Sequence, residues 1–295
     1  MEIHQLEYLV ALAEENSFTR AAERLHIAQP SLSQQIQKLE REIGQPLFDR
    51  LPRGVTATEA GQKLLGHARR ILAEIEDAKR QARELRDTVS GALTIGAIPT
   101  MAPFLLPAIM QTFAKQHPDV RLELVEDVTS KLLEQLDQGR IDLAIMSDAD
   151  PGRSLILEPI GREPLVLLLP AHHRLAKKKA IAWADIHEER FLVLHDMHCL
   201  SGQVMMFCRP QGLKPSIAAR GAQLATLAEM ISVGLGISVA PAMMQAHDAS
   251  PGRVYRPFAS DAPSRAICVA WSLFRYRTNA ARAFVALLKE EVAGP

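Results

Sequence analysis

The sequence has no excess of either charge: 34 lysines and arginines balance 34 aspartates and glutamates over 295 residues. That excludes a protein held to nucleic acid by bulk attraction. The balance is also local, since residues 1–70 carry nine basic and nine acidic side chains. Any nucleic-acid contact must therefore come from the placement of a few residues. No run of 18 apolar residues occurs, and the strongest, Leu165 to Pro170, has only the length of a strand. Met1-Glu2-Ile3-His4-Gln5 has neither the basic nor the apolar part of a secretion signal. The expectation is a cytoplasmic protein with no membrane partner. Three cysteines are too few for a disulfide framework, although Cys199 and Cys208 lie close enough to need their own explanation. What remains is an ordinary globular composition, 47% apolar and 23% charged, long enough for two or three domains.

Ile3, Leu6, Leu9, Val10 and Ala13 form a helical stripe that ends at Asn16-Ser17. Ser17 is a natural cap for a short helix from Phe18 to Leu25. Pro30 suits the first turn of a third helix, whose apolar face is Leu32, Ile36, Leu39 and Ile43 and which stops at Gly44. Its other faces are polar, so the pattern is a helix-turn-helix with the third helix as reader. Leu47–Arg50 and Val55–Ala57 then predict two strands around a turn bearing Arg53, a wing. Beyond Thr58, the positions Leu64, Ala68, Ile71, Ile75, Ala78, Ala82 and Leu85 alternate by four and three, which predicts a helix paired with a second copy. After residue 90 strands alternate with helices. Two α/β lobes are expected, each doubly wound with a parallel sheet, resembling bilobed binding proteins. The predicted domains are 1–58 (winged helix-turn-helix), 59–90 (linker and dimerisation helix), 91–163 with 267–295 (lobe I) and 164–266 (lobe II).

Phe18-Thr19-Arg20-Ala21-Ala22-Glu23-Arg24-Leu25, Ala28-Gln29-Pro30-Ser31-Leu32-Ser33 and Thr56-Ala57-Thr58-Glu59-Ala60-Gly61 resemble the LysR-type transcriptional regulators. The resemblance runs in order through the whole chain. It implies DNA contacts from Gln29, Pro30, Ser33 and Gln34 on the reading helix and from Arg50 and Arg53 at the wing. Glutamine can pair with an adenine edge, serine with either kind of base-edge group, and wing arginines suit phosphates or a narrow minor groove. The partners implied are promoter DNA, further copies of the chain up to a tetramer, and RNA polymerase. An enzyme is not expected, and no cofactor or metal is implied.

His198-Cys199-Leu200, Gln203, Met205 and Phe207-Cys208 resemble the redox segment of the hydrogen-peroxide-sensing branch of that family, as do Ile98-Pro99-Thr100 and Leu105-Leu106-Pro107. This closer resemblance implies a peroxidatic Cys199, a resolving Cys208 and a peroxide pocket that includes Thr100, Thr129 and His198. Ser201-Gly202 and Met206 depart from that segment.

Taken alone, the segment leaves several readings open. A helical Cys199–Cys208 stretch puts the two thiols on opposite faces, ~13 Å apart along the axis. A disulfide requires Cα atoms within ~7 Å, so it could form only by unwinding. Closing that ten-residue loop would bias the unwound state by ~2.7 kcal/mol. Against this, both cysteines could be small core hydrophobes. His195, His198, Cys199 and Cys208 could bind zinc, although Cys-x8-Cys is not a zinc spacing. A thiol peroxidase is a third possibility, but it has no use for a DNA reader. The alternative regulator senses a small metabolite between the lobes and leaves both cysteines incidental.

Overall fold

The computed structural model describes residues 1–51, 54–83 and 89–293. The chain divides into two compact units, one holding Met1–Arg86 and the other nearly all of Asp87–Pro295.

In the first unit the leading apolar stripe forms α1 (Ile3–Glu15), which ends where Asn16 turns left-handed at φ 50°. Ser17 accepts the Arg20 backbone N–H and starts α2 (Phe18–Arg24). Helix α3 (Gln29–Ile43) begins with Pro30 in its first turn and stops at Gly44, φ 79°. Leu9, Leu12, Ala21, Leu32, Ile36 and Leu39 interlock as the core of this unit. The strands β1 (Phe48–Leu51) and β2 (Gly54–Ala57) pair antiparallel as the wing, while Arg53 lies outside the described residues. Thr58 Oγ1 accepts the Gly61 N–H at 3.0 Å and caps α4 (Glu59–Arg83). Gly61 is required here, because a Cβ would stand 2.1 Å from the Leu47 carbonyl oxygen.

The expected seam along α4 divides. Ala68, with neighbouring Leu65, is buried in the core of its own unit, whereas Ile71 is 39% exposed and Ala78 and Ala82 are open. Leu85 lies outside the described residues.

The second unit starts with β3 (Gly91–Ala97), α5 (Ala102–Gln116), β4 (Val120–Glu126), α6 (Thr129–Asp137) and β5 (Leu143–Met146). β3 lies between β4 and β5, parallel to both, as the alternating pattern requires. The next strand, β6, runs from Leu155 to Pro170, ten residues longer at its start than the apolar run alone indicates. Pro159, Gly161, Arg162 and Pro164 break the pattern there. The strand is nevertheless held by an antiparallel ladder on one side only, where a missing N–H does no harm.

The second lobe follows with β7 (Arg190–Leu194), α7 (Cys199–Cys208), β8 (Ser216–Gly221), α8 (Leu224–Ser232), β9 (Ser238–Pro241), α9 (Ala242–Ala246) and β10 (Arg253–Arg256). The chain then returns through β11 (Ser264–Ser272) to α10 (Asn279–Ala293). β11 pairs antiparallel with β5 and along most of β6, so the lobe I sheet is mixed rather than wholly parallel. The far half of β6 carries β9 and β10, and β7 pairs parallel with β8.

Each lobe has its own core: Leu93, Ile95, Phe113, Ile145 and Phe284 in the first, Leu167, Leu168, Phe191, Ile231 and Ala240 in the second. The strands β6 and β11 both run through the junction between them. Among the described residues no helix is long and apolar enough to cross a membrane.

Candidate functional site

On α3 the structure gathers four of the predicted reading residues at the N-terminal end. Gln29, Pro30 and Gln34 are exposed and Ser33 is half-buried, while Leu32 and Ile36 anchor the opposite face. Arg50 on the wing donates to Ser33 Oγ at 3.3 Å, and its guanidinium lies 5.0 Å from the centre of the Phe18 ring. The wing is thereby tied to the reading helix, and its cation stands beside the face that would meet base edges.

The second cluster lies where the two lobes meet. Cys199 is the first residue of α7, with His198 as its N-cap in extended conformation. The thiol is half-buried and packs against the lobe I core. Cys208, the last residue of the same helix, is wholly buried in the lobe II core. All three cysteines are free thiols. Nine residues at 1.5 Å each place the two Cα atoms about 13 Å apart along the helix axis.

The groups around Cys199 come from distant parts of the sequence. Thr129, at the start of α6, presents a buried Oγ1 that faces the thiol. Arg265, on β11, is fully buried and donates from Nη1 to Thr100 Oγ1 and from Nη2 to the Thr100 carbonyl, both at 2.8 Å. Its Nε donates to Glu163 Oε2 at 2.8 Å, and Glu163 Oε1 accepts the Met243 N–H at 2.8 Å. The loop after β3, both junction strands and α9 are thus joined through one guanidinium. Across the lobes, Gln203 on α7 donates to Ser147 Oγ at 2.8 Å.

Burial pushes the Cys199 thiol above its ordinary value. The Arg265 charge, the Thr129 hydroxyl and the α7 N–H groups of Leu200 and Cys199 act the other way without overcoming it. Burial likewise raises Cys208, to about 11, with nothing opposing it. His198 does not supply a cation at the thiol. Burial holds its imidazole below the ordinary value, and its ring donates to the Ala222 carbonyl. Arg265 and Glu163 escaped the sequence reading because each looks like a charge at the mouth of an apolar strand. A signal was present nonetheless, since both interrupt β-rich segments at positions that a continuous strand must bury.

Two family models match the chain. The model of the bacterial regulatory helix-turn-helix protein, lysR family, covers residues 3–62, and that of the LysR substrate binding domain covers residues 86–293. The chain belongs to the LysR family. Among LysR relatives, the hydrogen peroxide-inducible genes activator of Pectobacterium carotovorum subsp. carotovorum is 39% identical over 92% of this chain and 90% of its own length. The DNA-binding transcriptional dual regulator OxyR of Escherichia coli (strain K12) is also 39% identical, over 90% of this chain and 88% of its own. A full-length OxyR variant from Pseudomonas aeruginosa superposes with a TM-score of 0.81 at 28% identity, covering all of this chain and 95% of that one. An H2O2-bound OxyR mutant from Corynebacterium glutamicum gives 0.66 at 31% identity, over 99% and 94%. The two-lobed effector unit and the winged reader are therefore a LysR-family pair.

Proposed function

We propose that this LysR-family regulator senses hydrogen peroxide at Cys199 and converts the reaction into a change in promoter binding through a Cys199–Cys208 disulfide. The observation that carries the reading is the convergence of Thr129 and Arg265, the latter holding Thr100, at one half-buried thiol. It is supported by relatives named for peroxide induction and by a structural neighbour described as H2O2-bound.

The chemistry follows from the donors present. The Cys199 thiolate attacks one peroxide oxygen, the O–O bond breaks, and an S–O bond forms as the other oxygen leaves as hydroxide. Because Thr100 Oγ1 accepts from Arg265, its own O–H is free to donate, whereas the Thr129 hydroxyl donates to the sulfur and steadies the thiolate. Arg265 stabilises both the thiolate and the departing oxygen. The sulfenic acid then condenses with the Cys208 thiol, releasing water and leaving the disulfide. That last step requires α7 to unwind, since an intact helix holds the sulfurs apart. The reduced and oxidised chains consequently present different surfaces to promoter DNA and to RNA polymerase.

One equivalent of peroxide followed by peptide mass spectrometry tests the proposal. Wild type is expected to yield a Cys199–Cys208 disulfide together with an altered DNA footprint. Cys208→Ser should accumulate sulfenic acid at Cys199, Cys199→Ser should be inert, and Cys268→Ser should respond as wild type. A footprint that follows a small metabolite while both thiols stay reduced would replace peroxide by a cleft ligand as the signal.

A further inference from the structure

Besides Met1, the chain holds nine methionines, and the exposed ones are Met197, Met205 and Met206, at 65%, 38% and 59%. Met101, Met146 and Met244 are buried, and Met110, Met230 and Met243 are half-buried. Every freely accessible thioether apart from Met1 is thus on α7 or in the loop that leads into it. Two such side chains on one helix and a third in the loop before it leave more apolar surface in water than the packing of α7 requires.

We propose that Met197, Met205 and Met206 are a second oxidation site, taking hypohalous acids rather than peroxide, whose sulfoxides loosen α7. In the reaction a thioether lone pair attacks the oxygen of HOCl. The S–O bond forms, the O–Cl bond breaks, the oxygen loses its proton, and the products are the sulfoxide, a proton and chloride. Sulfur gives up two electrons and chlorine accepts them. Chloride departs without help, whereas a peroxide needs an acid to protonate its leaving oxygen. The two oxidants thereby address two different sulfur sites on one helix.

The consequence for α7 follows from its composition, Cys-Leu-Ser-Gly-Gln-Val-Met-Met-Phe-Cys. Cysteine, serine, valine and phenylalanine are indifferent helix formers and Gly202 is a poor one, so Leu200, Gln203, Met205 and Met206 carry most of the intrinsic preference. Met205 also lines a cavity of about 320 Å³ with Arg209, Leu213, Lys214 and Pro215, its thioether on the apolar side with Leu213 and Pro215, and thereby ties the helix to the following turn. A sulfoxide makes that side chain polar and removes it from the apolar lining. Sulfoxidation thus favours the unwound state that disulfide closure needs. This last link rests on the thiol switch proposed above, whereas the loosening of α7 does not.

The test uses full-length Cys199→Ser/Cys208→Ala protein treated with less than one equivalent of hypochlorous acid, followed by peptide mass spectrometry and amide hydrogen exchange. Expected are single oxygen additions at Met197, Met205 and Met206 ahead of the buried methionines. Exchange across α7 should become faster, and methionine sulfoxide reductase should reverse it. In wild type, prior sulfoxidation with the thiols reversibly blocked should speed disulfide closure about fivefold, the change expected when roughly half of one methionine's burial is lost. A Met197→Leu/Met205→Leu/Met206→Leu variant should keep its peroxide response and lose this acceleration. Sulfoxides at these positions with unchanged α7 exchange would overturn the proposal, as would equal oxidation of Met101 and Met146. Loosened α7 in a protein that forms no disulfide with peroxide supports the second site and counts against the thiol switch alone.

Discussion

At the scale of single residues, the thiol at the centre of the site is kept largely protonated at rest. Burial sets the direction for Cys199, and Arg265 limits the shift through its charge. Only the thiolate reacts, so alkylation of Cys199 should rise with pH and reach its midpoint above the range of an ordinary cysteine. Removing Arg265 alone leaves Glu163 buried without its partner, at a cost of about 3–5 kcal/mol. The informative variant is therefore Glu163→Gln/Arg265→Gln, in which the midpoint should move further toward alkaline pH. An unmoved midpoint in that variant would show that the guanidinium does not act on the sulfur. Gln29→Ala belongs to the same scale. It should weaken binding to a specific site by roughly 1–3 kcal/mol and relax preference at one or two base pairs. Equal affinity and preference in a selection experiment would remove Gln29 from the reading face. The residues found by sequence were those with a local signature, such as Gln29 beside Pro30 or Cys199 beside His198. Arg265 and Glu163 are about 100 positions apart, and their pairing depends on the β6–β11 ladder, which the chain does not announce locally.

At the scale of elements, α7 combines weak intrinsic preference with strong anchoring through Leu200, Val204 and Cys208. Gly202 sits exposed in its middle, and a Cβ there would touch nothing within 4 Å. Gly202→Ala should therefore stabilise the helix by about 1 kcal/mol. Disulfide closure should slow about fivefold while sulfenic acid formation at Cys199 keeps its rate. Stopped-flow oxidation of the variant separates the two steps, and an unchanged closing rate would mean that unwinding does not limit it. In α4 the intact heptad rhythm was legible, but the allocation of its positions was not. Ala68 serves its own core because Gly61 lets the helix start against Leu47, which turns that face inward. Ile71 and Ile75 lie beyond that anchor, and their replacement by aspartate should dissociate the assembly and abolish operator binding. Sedimentation velocity checks this, and an unchanged species would place self-association elsewhere. The start of β6 was missed because prolines conceal a strand whose partner is distant in sequence.

For the molecule as a whole, the order of reader, wing, long helix and two α/β lobes could be read from periodicity and turn signals, because each element closes within a few dozen residues. The mixed sheet could not, since β11 joins β5 and β6 only after lobe II is complete. Lobe II is also secured by Asp248. Burial alone would raise its carboxyl, but hydrogen bonds from Arg253 and Tyr255 and the Ser250 N–H hold it at about 2. A carboxylate depressed on folding contributes stability above its unfolded value near 4, and that contribution fades as the pH falls toward 2. Asp248→Asn should thus lower stability at neutral pH by about 2 kcal/mol, with the difference from wild type shrinking between pH 4 and pH 2. Urea titrations across that range measure it, and a constant difference would assign the effect to shape rather than charge.

The paired crossing of β6 and β11 has a mechanical consequence. Two hydrogen-bonded strands form a twisted ribbon that yields to further torsion and resists bending in the plane of its hydrogen bonds. A clamshell joined this way does not swing open on a loop. When α7 unwinds, its two lobes should hold their separation while rotating slightly about the ribbon. Paramagnetic labels at Lys115 and Lys178, one on each lobe, should report nearly the same distance before and after oxidation. The message would then leave the molecule as a re-shaped outer face, with the jaws still at their original gape.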